Sequence, residues 1–190
     1  MFADRLVDKT KAEEATFAGI TETHSPLKER IGVYWDFLNR PDLDGGDTDV
    51  PWSAAFISYM VHLAGAGSAF PYSAQHSVYF YRTINDKLIK KATPFWGFRP
   101  ADVTVQPGDI IGMNREGAPR IDYDWAAHHA DYNSHADIVV DVTGTGTLNT
   151  IGGNVSNRIG KKTFNPFQGT FRNAAAHSQH VFVVIRAFLP

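Results

Sequence analysis

The sequence predicts an α+β fold in which helices pack on a central antiparallel sheet. Three observations lead to this class. Apolar residues recur at helical spacing through the first half of the 190-residue chain, as in amphipathic helices. After the proline- and aromatic-rich segment 93–100, the apolar residues form short extended runs instead. Glycine-containing turns separate these runs, and helices followed by strands in this way are typical of α+β proteins.

Four helices are predicted before residue 92. The first spans 3–16, and the second spans 25–38 because Ser25-Pro26 provides a cap and a first-turn proline. The third, from Ser53 to Ala64, is apolar on nearly every face, as expected for a helix buried on all sides. The fourth begins with a cap at Ser73 and ends near Lys91. Its inward face is predicted to consist of Val78, Tyr81, Ile84 and Leu88.

The second half of the chain is predicted to supply the sheet. Gly144-Thr-Gly146 predicts a hairpin between two of the strands. Residues 115–133 form an insert that is expected to lie as a flap over one end of the sheet. The whole chain is predicted to be one domain, with residues 1–24 as an N-terminal helical extension. The candidate strands are Asp109–Asn114, Ala136–Val142, Thr147–Ile151, His180–Leu189 and, more weakly, Val155–Ile159.

Composition and charge exclude several classes of protein. Net charge is −2, from 18 basic and 20 acidic residues, and basic clusters are limited to residues 87–91 and 161–162. We therefore expect no nucleic-acid partner, since phosphate binding needs a concentrated basic face. No run approaches the ~18 apolar residues of a membrane span, and the N-terminus lacks the pattern of a signal peptide. The chain contains no cysteine, so a nucleophile must be an oxygen or a nitrogen.

Ser53 is the first candidate for chemistry. It lies in the first turn of a buried helix, where free backbone N–H groups and the positive end of the helix dipole stabilise developing negative charge. Serine is also a favoured N-cap residue, because its hydroxyl bonds the backbone locally. The local sequence is therefore compatible with either a nucleophile or a cap.

Two segments contain a weak metal-ligand pattern. The acidic loop 39–49 is spaced like a calcium loop but lacks its terminal glutamate, so a solvated loop is the expected interpretation. His128, His129, Asp131 and His135 are an alternative zinc set, but adjacent histidines in an insert rarely converge on one ion. We predict no metal and no other cofactor.

Four motifs follow one another in an order typical of one superfamily. They are Pro51-Trp-Ser-Ala-Ala-Phe-Ile-Ser58, Pro107-Gly-Asp-Ile-Ile111, Ser134-His-Ala-Asp-Ile-Val-Val140 and Ile151-Gly-Gly-Asn-Val155. This order resembles the papain-like cell-wall hydrolases of the NlpC and CHAP type. In those enzymes a helix beginning Trp-Cys-Ala carries the nucleophile, and a histidine opens a later strand. The sequence is similar to a bacterial family of unknown function within that superfamily, over roughly residues 28–188.

The resemblance implies a papain-like fold and a set of catalytic residues. Ser53 stands where the superfamily has its cysteine, His135 where it has the general base, and Asn154 where CHAP enzymes have an asparagine. The glutamate that CHAP enzymes have two residues earlier is Gly152 here. Asp137 is a substitute, because residues i and i+2 of a strand share a face.

The resemblance also implies a substrate. We expect hydrolysis of an amide or peptide bond, with the stem peptide of peptidoglycan as substrate, and a protein of this kind is exported or released from the cell. Because a hydroxyl needs more activation than a thiol, three alternatives remain open. They are a serine hydrolase, an inactive relative that binds cell-wall or peptide ligands, and a chain whose cysteine was replaced.

Further residues are predicted to contact the substrate, each with an alternative. Trp52 is a cleft wall that is partly core, and His76 either lines the pocket or is a hydrogen-bonding residue on a helix face. Asp109 anchors a turn or pairs with Arg115, which otherwise binds a substrate carboxylate. The predicted substrate-binding set is Trp52, Ser73, His76, Asp109, Arg115 and Asp137.

Overall fold

The structure, a computed structural model, describes all residues 1–190. The helices are α1 (Phe2–Thr16), α2 (Leu27–Phe37), α3 (Ser53–Leu63), α4 (His76–Leu88) and the short α5 (Tyr123–Ala126). The strands are β1 (Phe95–Phe98), β2 (Ile110–Asn114), β3 (Ser134–Val142), β4 (Leu148–Gly152), β5 (Gly160–Phe167), β6 (Thr170–Asn173) and β7 (Val181–Ala187).

The seven strands form one antiparallel sheet with the order β1-β7-β2-β3-β4-β5-β6. The sheet curls, because an antiparallel bridge joins Arg172 at β6 to His180 just before β7. The prediction of an α+β fold with N-terminal helices and an antiparallel sheet is confirmed. None of the helices is both long and apolar enough to cross a membrane.

The curl separates two hydrophobic cores. The larger core lies between the helices and the convex face of the sheet and includes Ala136 and Ile138 of β3. The smaller core fills the concave side with residues from β2, β3, β4, β5 and β7, among them Val139. Side chains alternate along a strand, so His135 and Asp137 share the concave face with Val139. One face of β3 therefore packs in the larger core, and its other face lies on the concave side of the curled sheet.

The first three helices and the β3–β4 hairpin agree with the predictions to within about two residues at each end. The predicted strand Val155–Ile159 is wrong. Residues 153–159 form an irregular turn in which Asn154, Ser156 and Asn157 have positive φ, and such backbone cannot continue an extended ladder.

The prediction for α4 is wrong in its start and in its face. The helix begins at His76 after Gln75, and the Ser73 hydroxyl accepts a hydrogen bond from the Gln75 N–H instead of capping the helix. Of the residues predicted to face inward, Ile84 alone is buried. The buried face consists instead of His76, Ser77, Tyr79, Phe80, Thr83, Ile84 and Asp86.

Three strands were not predicted. Strand β1 lies inside the segment 93–100, β5 contains Lys161, Lys162 and Pro166, and β6 has four residues. Their charge, proline content and shortness hide the alternation that identifies a strand.

The insert 115–133 is held against α4, because the Asn85 side chain donates to the Ala127 carbonyl.

Candidate functional site

Ser53 is the first residue of α3, but its hydroxyl does not cap the helix. The N-cap residue is Trp52, and no side chain caps the helix. The Ser53 Oγ lies instead 2.8 Å from Nε2 of His76 and 3.1 Å from Nδ1 of His135. The interpretation of Ser53 as a cap is therefore wrong, and its buried hydroxyl lies between two imidazoles.

His135 is oriented from its far side by Asp137. Nε2 of His135 lies 3.0 Å from Oδ1 of Asp137, two residues along β3. The Thr150 hydroxyl donates to the other carboxylate oxygen at 2.9 Å, and Nζ of Lys162 lies 3.4 Å from Oδ1. Asp137 has no exposed surface, so these contacts are its only polar partners.

His76 is oriented by Tyr79, one turn further along α4. The Tyr79 hydroxyl and Nδ1 of His76 form a hydrogen bond. Both side chains are buried, and α4 places His76 against Ser53 because its buried face begins at this residue.

One assignment of protons satisfies every group in this chain of hydrogen bonds. The Asp137 carboxylate only accepts, so His135 carries its proton on Nε2 and leaves Nδ1 to accept from the Ser53 hydroxyl. His76 Nε2–H then donates to the Ser53 oxygen, and His76 Nδ1 accepts from Tyr79. The opposite tautomer of His76 would leave the Tyr79 proton and the His135 Nδ1 lone pair without partners.

Burial and nearby charge keep both imidazoles neutral. Burial is the main reason that the pKa of His76 lies well below its ordinary value, and repulsion by the positive charge of His135 in its protonated form lowers this pKa further. Burial also lowers the pKa of His135, and Lys162 lowers it further, although Asp137 opposes both effects. Burial alone would raise the pKa of Asp137, but Lys162 and then the hydrogen bond from His135 outweigh it and hold that pKa far below its usual range.

The start of α3 offers backbone donors beside the hydroxyl. The N–H groups of Ser53, Ala54 and Ala55 donate to no protein acceptor, as expected for the first turn of a helix. Ser53 and Ala54 line a cavity of about 200 Å³. These N–H groups and the helix dipole favour an oxyanion at this position.

Two cavities lie on either side of the Ser53–His135 pair. The smaller is lined by Ser53, His76 and two residues of the insert, Asp131 and Tyr132. The larger, of about 650 Å³, is the mouth of the curled sheet and contains His135 and Lys162. Arg115 lines both cavities, and we refer to these two adjoining cavities together as the cleft.

Residues 39–167, about two thirds of the chain, match a family described as "Uncharacterized protein conserved in bacteria (DUF2272)". The chain belongs to this family. No curated protein and no solved structure matches the chain. In this DUF2272 protein the matched region contains Ser53, His76, His135 and Asp137, together with Lys162.

Asn154 and Gly152 explain how the site differs from the CHAP pattern. Asn154 lies in the turn after β4 and lines the larger cavity, but its side chain makes no hydrogen bond to His135. A Cβ atom at Gly152 would lie 2.0 Å from Oδ1 of Asp137. The Asp137 carboxylate thus occupies the space that a side chain at position 152 would need. It contacts the His135 imidazole in place of Asn154.

Four of the six predicted substrate-binding residues line neither cavity, and one of them, Asp137, is fully buried beside His135. Trp52 is buried and donates from Nε1 to Glu22 at 2.7 Å, so it is core and not a cleft wall. Asp109 is buried and pairs with Arg186 at 2.6 Å, so its predicted pairing with Arg115 is wrong, although it does accept from the Gln106 N–H in a turn. Ser73 borders a separate cavity beside Phe37 and Tyr72.

The alternative zinc set does not converge. The His129 ring stacks on Trp125, with ring centroids 3.9 Å apart, and His135 is bonded to Ser53 and Asp137. No group of three or more His, Asp or Glu side chains is placed to hold a metal ion.

Sequence reasoning missed Tyr79, Thr150, Lys162 and Gln179. Tyr79 follows His76 at i+3, which is on the same helix face. Thr150 lies on β4, the strand next to β3, and Lys162 lies opposite it on β5, one strand further along the sheet, so their closeness to Asp137 becomes visible only when the register is known. No local pattern indicates Gln179.

Proposed function

We propose that this protein hydrolyses amide or peptide bonds with Ser53 as nucleophile, His135 as general base and Asp137 as the residue that orients His135. The observation that carries the proposal is the aligned pair of hydrogen bonds, 3.1 Å from Ser53 Oγ to His135 Nδ1 and 3.0 Å from His135 Nε2 to Asp137. A nucleophile, a base and an orienting carboxylate in this order form the arrangement of serine hydrolases.

The proposed reaction follows from the proton assignment. As the Ser53 oxygen attacks the substrate carbonyl, its proton passes to His135 Nδ1, and Asp137 stabilises the imidazolium. The free N–H groups at the start of α3 stabilise the oxyanion. His135 then protonates the leaving amine, and a water molecule activated by His135 hydrolyses the acyl-enzyme. His76 is a positioning residue, because its N–H holds the Ser53 oxygen against His135.

The resemblance to the NlpC and CHAP superfamily extends this proposal to a papain-like enzyme that acts on the cell wall. The supporting features are the order of the elements and the position of the reactive side chain. The nucleophile begins a buried helix, the base lies near the start of a strand, and its orienting group lies on the sheet. We propose the stem peptide of peptidoglycan as substrate, which requires the protein to be exported or released.

A fluorophosphonate probe tests the nucleophile. We expect one adduct by intact mass, located at Ser53 by peptide mapping, and no adduct with Ser53→Ala or His135→Ala. The variant Ser68→Ala is the matched control, because Ser68 is exposed and lies in neither cavity. Circular dichroism establishes that each variant is folded.

The same proteins are then incubated with peptidoglycan fragments. Release of new amino groups by wild type and not by Ser53→Ala supports the hydrolase. No labelling together with binding of fragments that stay intact would contradict it. That outcome favours the alternative, an inactive papain-like module that binds cell-wall or peptide ligands.

A further inference from the structure

The proposed reaction assigns a different part of the substrate to each of the two cavities of the cleft. In the proposed reaction His135 must deliver a proton to the leaving amine, so the leaving group lies on the side of His135. That side is the larger cavity. The acyl part lies with Ser53 and the free N–H groups in the smaller cavity.

Arg115 is an unpaired cation in this cleft. Its guanidinium makes no hydrogen bond and no ion pair, although the side chain is partly buried. The two lysines of the larger cavity are already paired, Lys161 with Glu14 at 2.8 Å and Lys162 with Asp137 at 3.4 Å. Arginine presents a planar set of donors that matches a carboxylate in a bidentate pair, so Arg115 lacks the partner its chemistry favours.

Gln179 supplies a second oriented donor in the larger cavity. Oδ1 of Asn173 accepts from the N–H groups of Ala175 and Ala176, which fixes the orientation of that amide. Asn173 Nδ2 therefore donates to Oε1 of Gln179 at 2.7 Å. Gln179 is 6% exposed, and its Nε2 has no protein acceptor. Because Gln179 lines the cavity, this amide group is a buried donor that opens onto it.

We propose that the larger cavity binds a carboxylate on the leaving group of the substrate, held by Arg115 and by the amide N–H groups of Gln179. The substrate class is then an amide whose amine part is an amino acid or peptide with a free carboxylate. The assignment to the leaving group rests on the proposed function, whereas the carboxylate site itself rests on the donors of the cavity. Glu116 is the one acidic residue that lines the cavity, and it is exposed at the rim.

The test compares two ligands that differ only at the carboxylate. Isotope-labelled full-length protein with Ser53→Ala, which cannot turn over, is titrated by NMR with N-acetyl-alanyl-alanine and with its C-terminal amide. We expect the free acid to bind about tenfold more tightly, since a charged pair strengthens the hydrogen bonds. We also expect the Arg115 Nε and Gln179 side-chain resonances to shift with the acid.

Two further substitutions identify the donors. Arg115→Gln in the same background should abolish the preference for the acid. Gln179→Glu keeps the oxygen that Asn173 bonds but replaces the free N–H groups with a repelling oxygen, so it should weaken binding of the acid and not of the amide. Arg120→Gln is the matched control, because Arg120 is exposed, belongs to the same insert and lines neither cavity.

Equal affinity for the two ligands, or no binding of either at millimolar concentration, overturns the proposal. A preference that survives Arg115→Gln overturns the role of that residue. Because this experiment measures binding without turnover, a failed fluorophosphonate reaction combined with a retained preference would reject the hydrolase and keep the carboxylate site.

Discussion

At the scale of single residues, the Ser53 hydroxyl is held by one acceptor and one donor. His135 accepts its proton and His76 donates to its oxygen, and each histidine has its own partner in Asp137 or Tyr79. A hydroxyl ionises far less readily than a thiol, so Ser53 in its proposed role as nucleophile depends on a correctly oriented base. Here the orientation comes from a buried carboxylate with a hydroxyl and an ammonium group as further partners.

A pair of substitutions tests which residue orients His135. In Asp137→Asn the imidazole loses the acceptor that fixes its tautomer, so we expect the rate of fluorophosphonate labelling to fall by roughly a thousandfold or more. Asn154→Ala removes a side chain that does not contact His135, and labelling should stay close to wild type. The reverse order of the two effects would identify Asn154 as the orienting residue. Thermal melts of both variants control for loss of fold.

Gly152 provides a steric test of the same carboxylate. In Gly152→Ala the added Cβ would lie 2.0 Å from Oδ1 of Asp137, so the carboxylate must move. We expect a loss of about 1–3 kcal/mol in the free energy of unfolding together with slower labelling. Gly144→Ala is the control, because a Cβ there meets no atom within 4 Å, and it should change stability by less than about 0.5 kcal/mol. A normal labelling rate in Gly152→Ala would show that Asp137 is dispensable.

At the scale of elements, helix α4 shows where prediction from sequence succeeds and where it fails. Its existence follows from apolar spacing, but spacing selects the wrong face, because the buried side includes the polar residues His76, Ser77 and Thr83. His76 and Thr83 make hydrogen bonds in the interior, whereas the Ser77 hydroxyl makes none, and a hydropathy pattern does not predict the burial of any of the three. The sequence alone therefore does not predict that His76 contacts Ser53.

Strand β3 was more predictable. The alternation of His135, Asp137 and Val139 puts both titratable groups on one face, and the structure places them in contact. The partner Thr150 comes from the adjacent strand β4 and Lys162 from β5, the strand beyond it, so their positions relative to Asp137 depend on the sheet register. Local sequence determines the face of a residue but not its neighbour across the sheet.

The orientation of α4 is tested by two substitutions on one helix. Ile84 is fully buried and Leu88 is 50% exposed. Ile84→Ala should cost about 2–5 kcal/mol in urea unfolding through the cavity it leaves. Leu88→Lys should change stability by less than about 0.5 kcal/mol. A larger loss of stability for Leu88→Lys than for Ile84→Ala would instead support the buried face that the apolar spacing predicts.

At the scale of the whole molecule, the buried histidines couple folding to pH. The pKa values of His76 and His135 are lower in the folded protein than in the unfolded chain, where histidine titrates near 6.5. Below about pH 6.5 the unfolded state therefore binds protons that the native state excludes, and the free energy of unfolding decreases. Asp137, whose pKa is also lowered, adds a further loss only below about pH 4.

We expect stability to fall between pH 7 and pH 5, by up to about 1.4 kcal/mol per pH unit for each histidine. Urea unfolding at a series of pH values measures this slope. His76→Gln should reduce it, and His128→Gln, at an exposed position, is the matched control. A stability that does not change over this interval would contradict the burial of neutral imidazoles.

Strand β3 holds His135 and Asp137, whereas other segments form the rim of the larger cavity, and this separation determines which changes in sequence the site can accept. A one-residue slip in β3 would exchange its two faces and move His135 and Asp137 away from Ser53. The rim of the larger cavity comes instead from irregular backbone at residues 153–159 and 174–179. Insertions there leave the sheet register unchanged. We therefore expect that changes in the rim can alter which ligands the larger cavity binds, while the hydrogen-bonded group around Ser53 keeps its geometry.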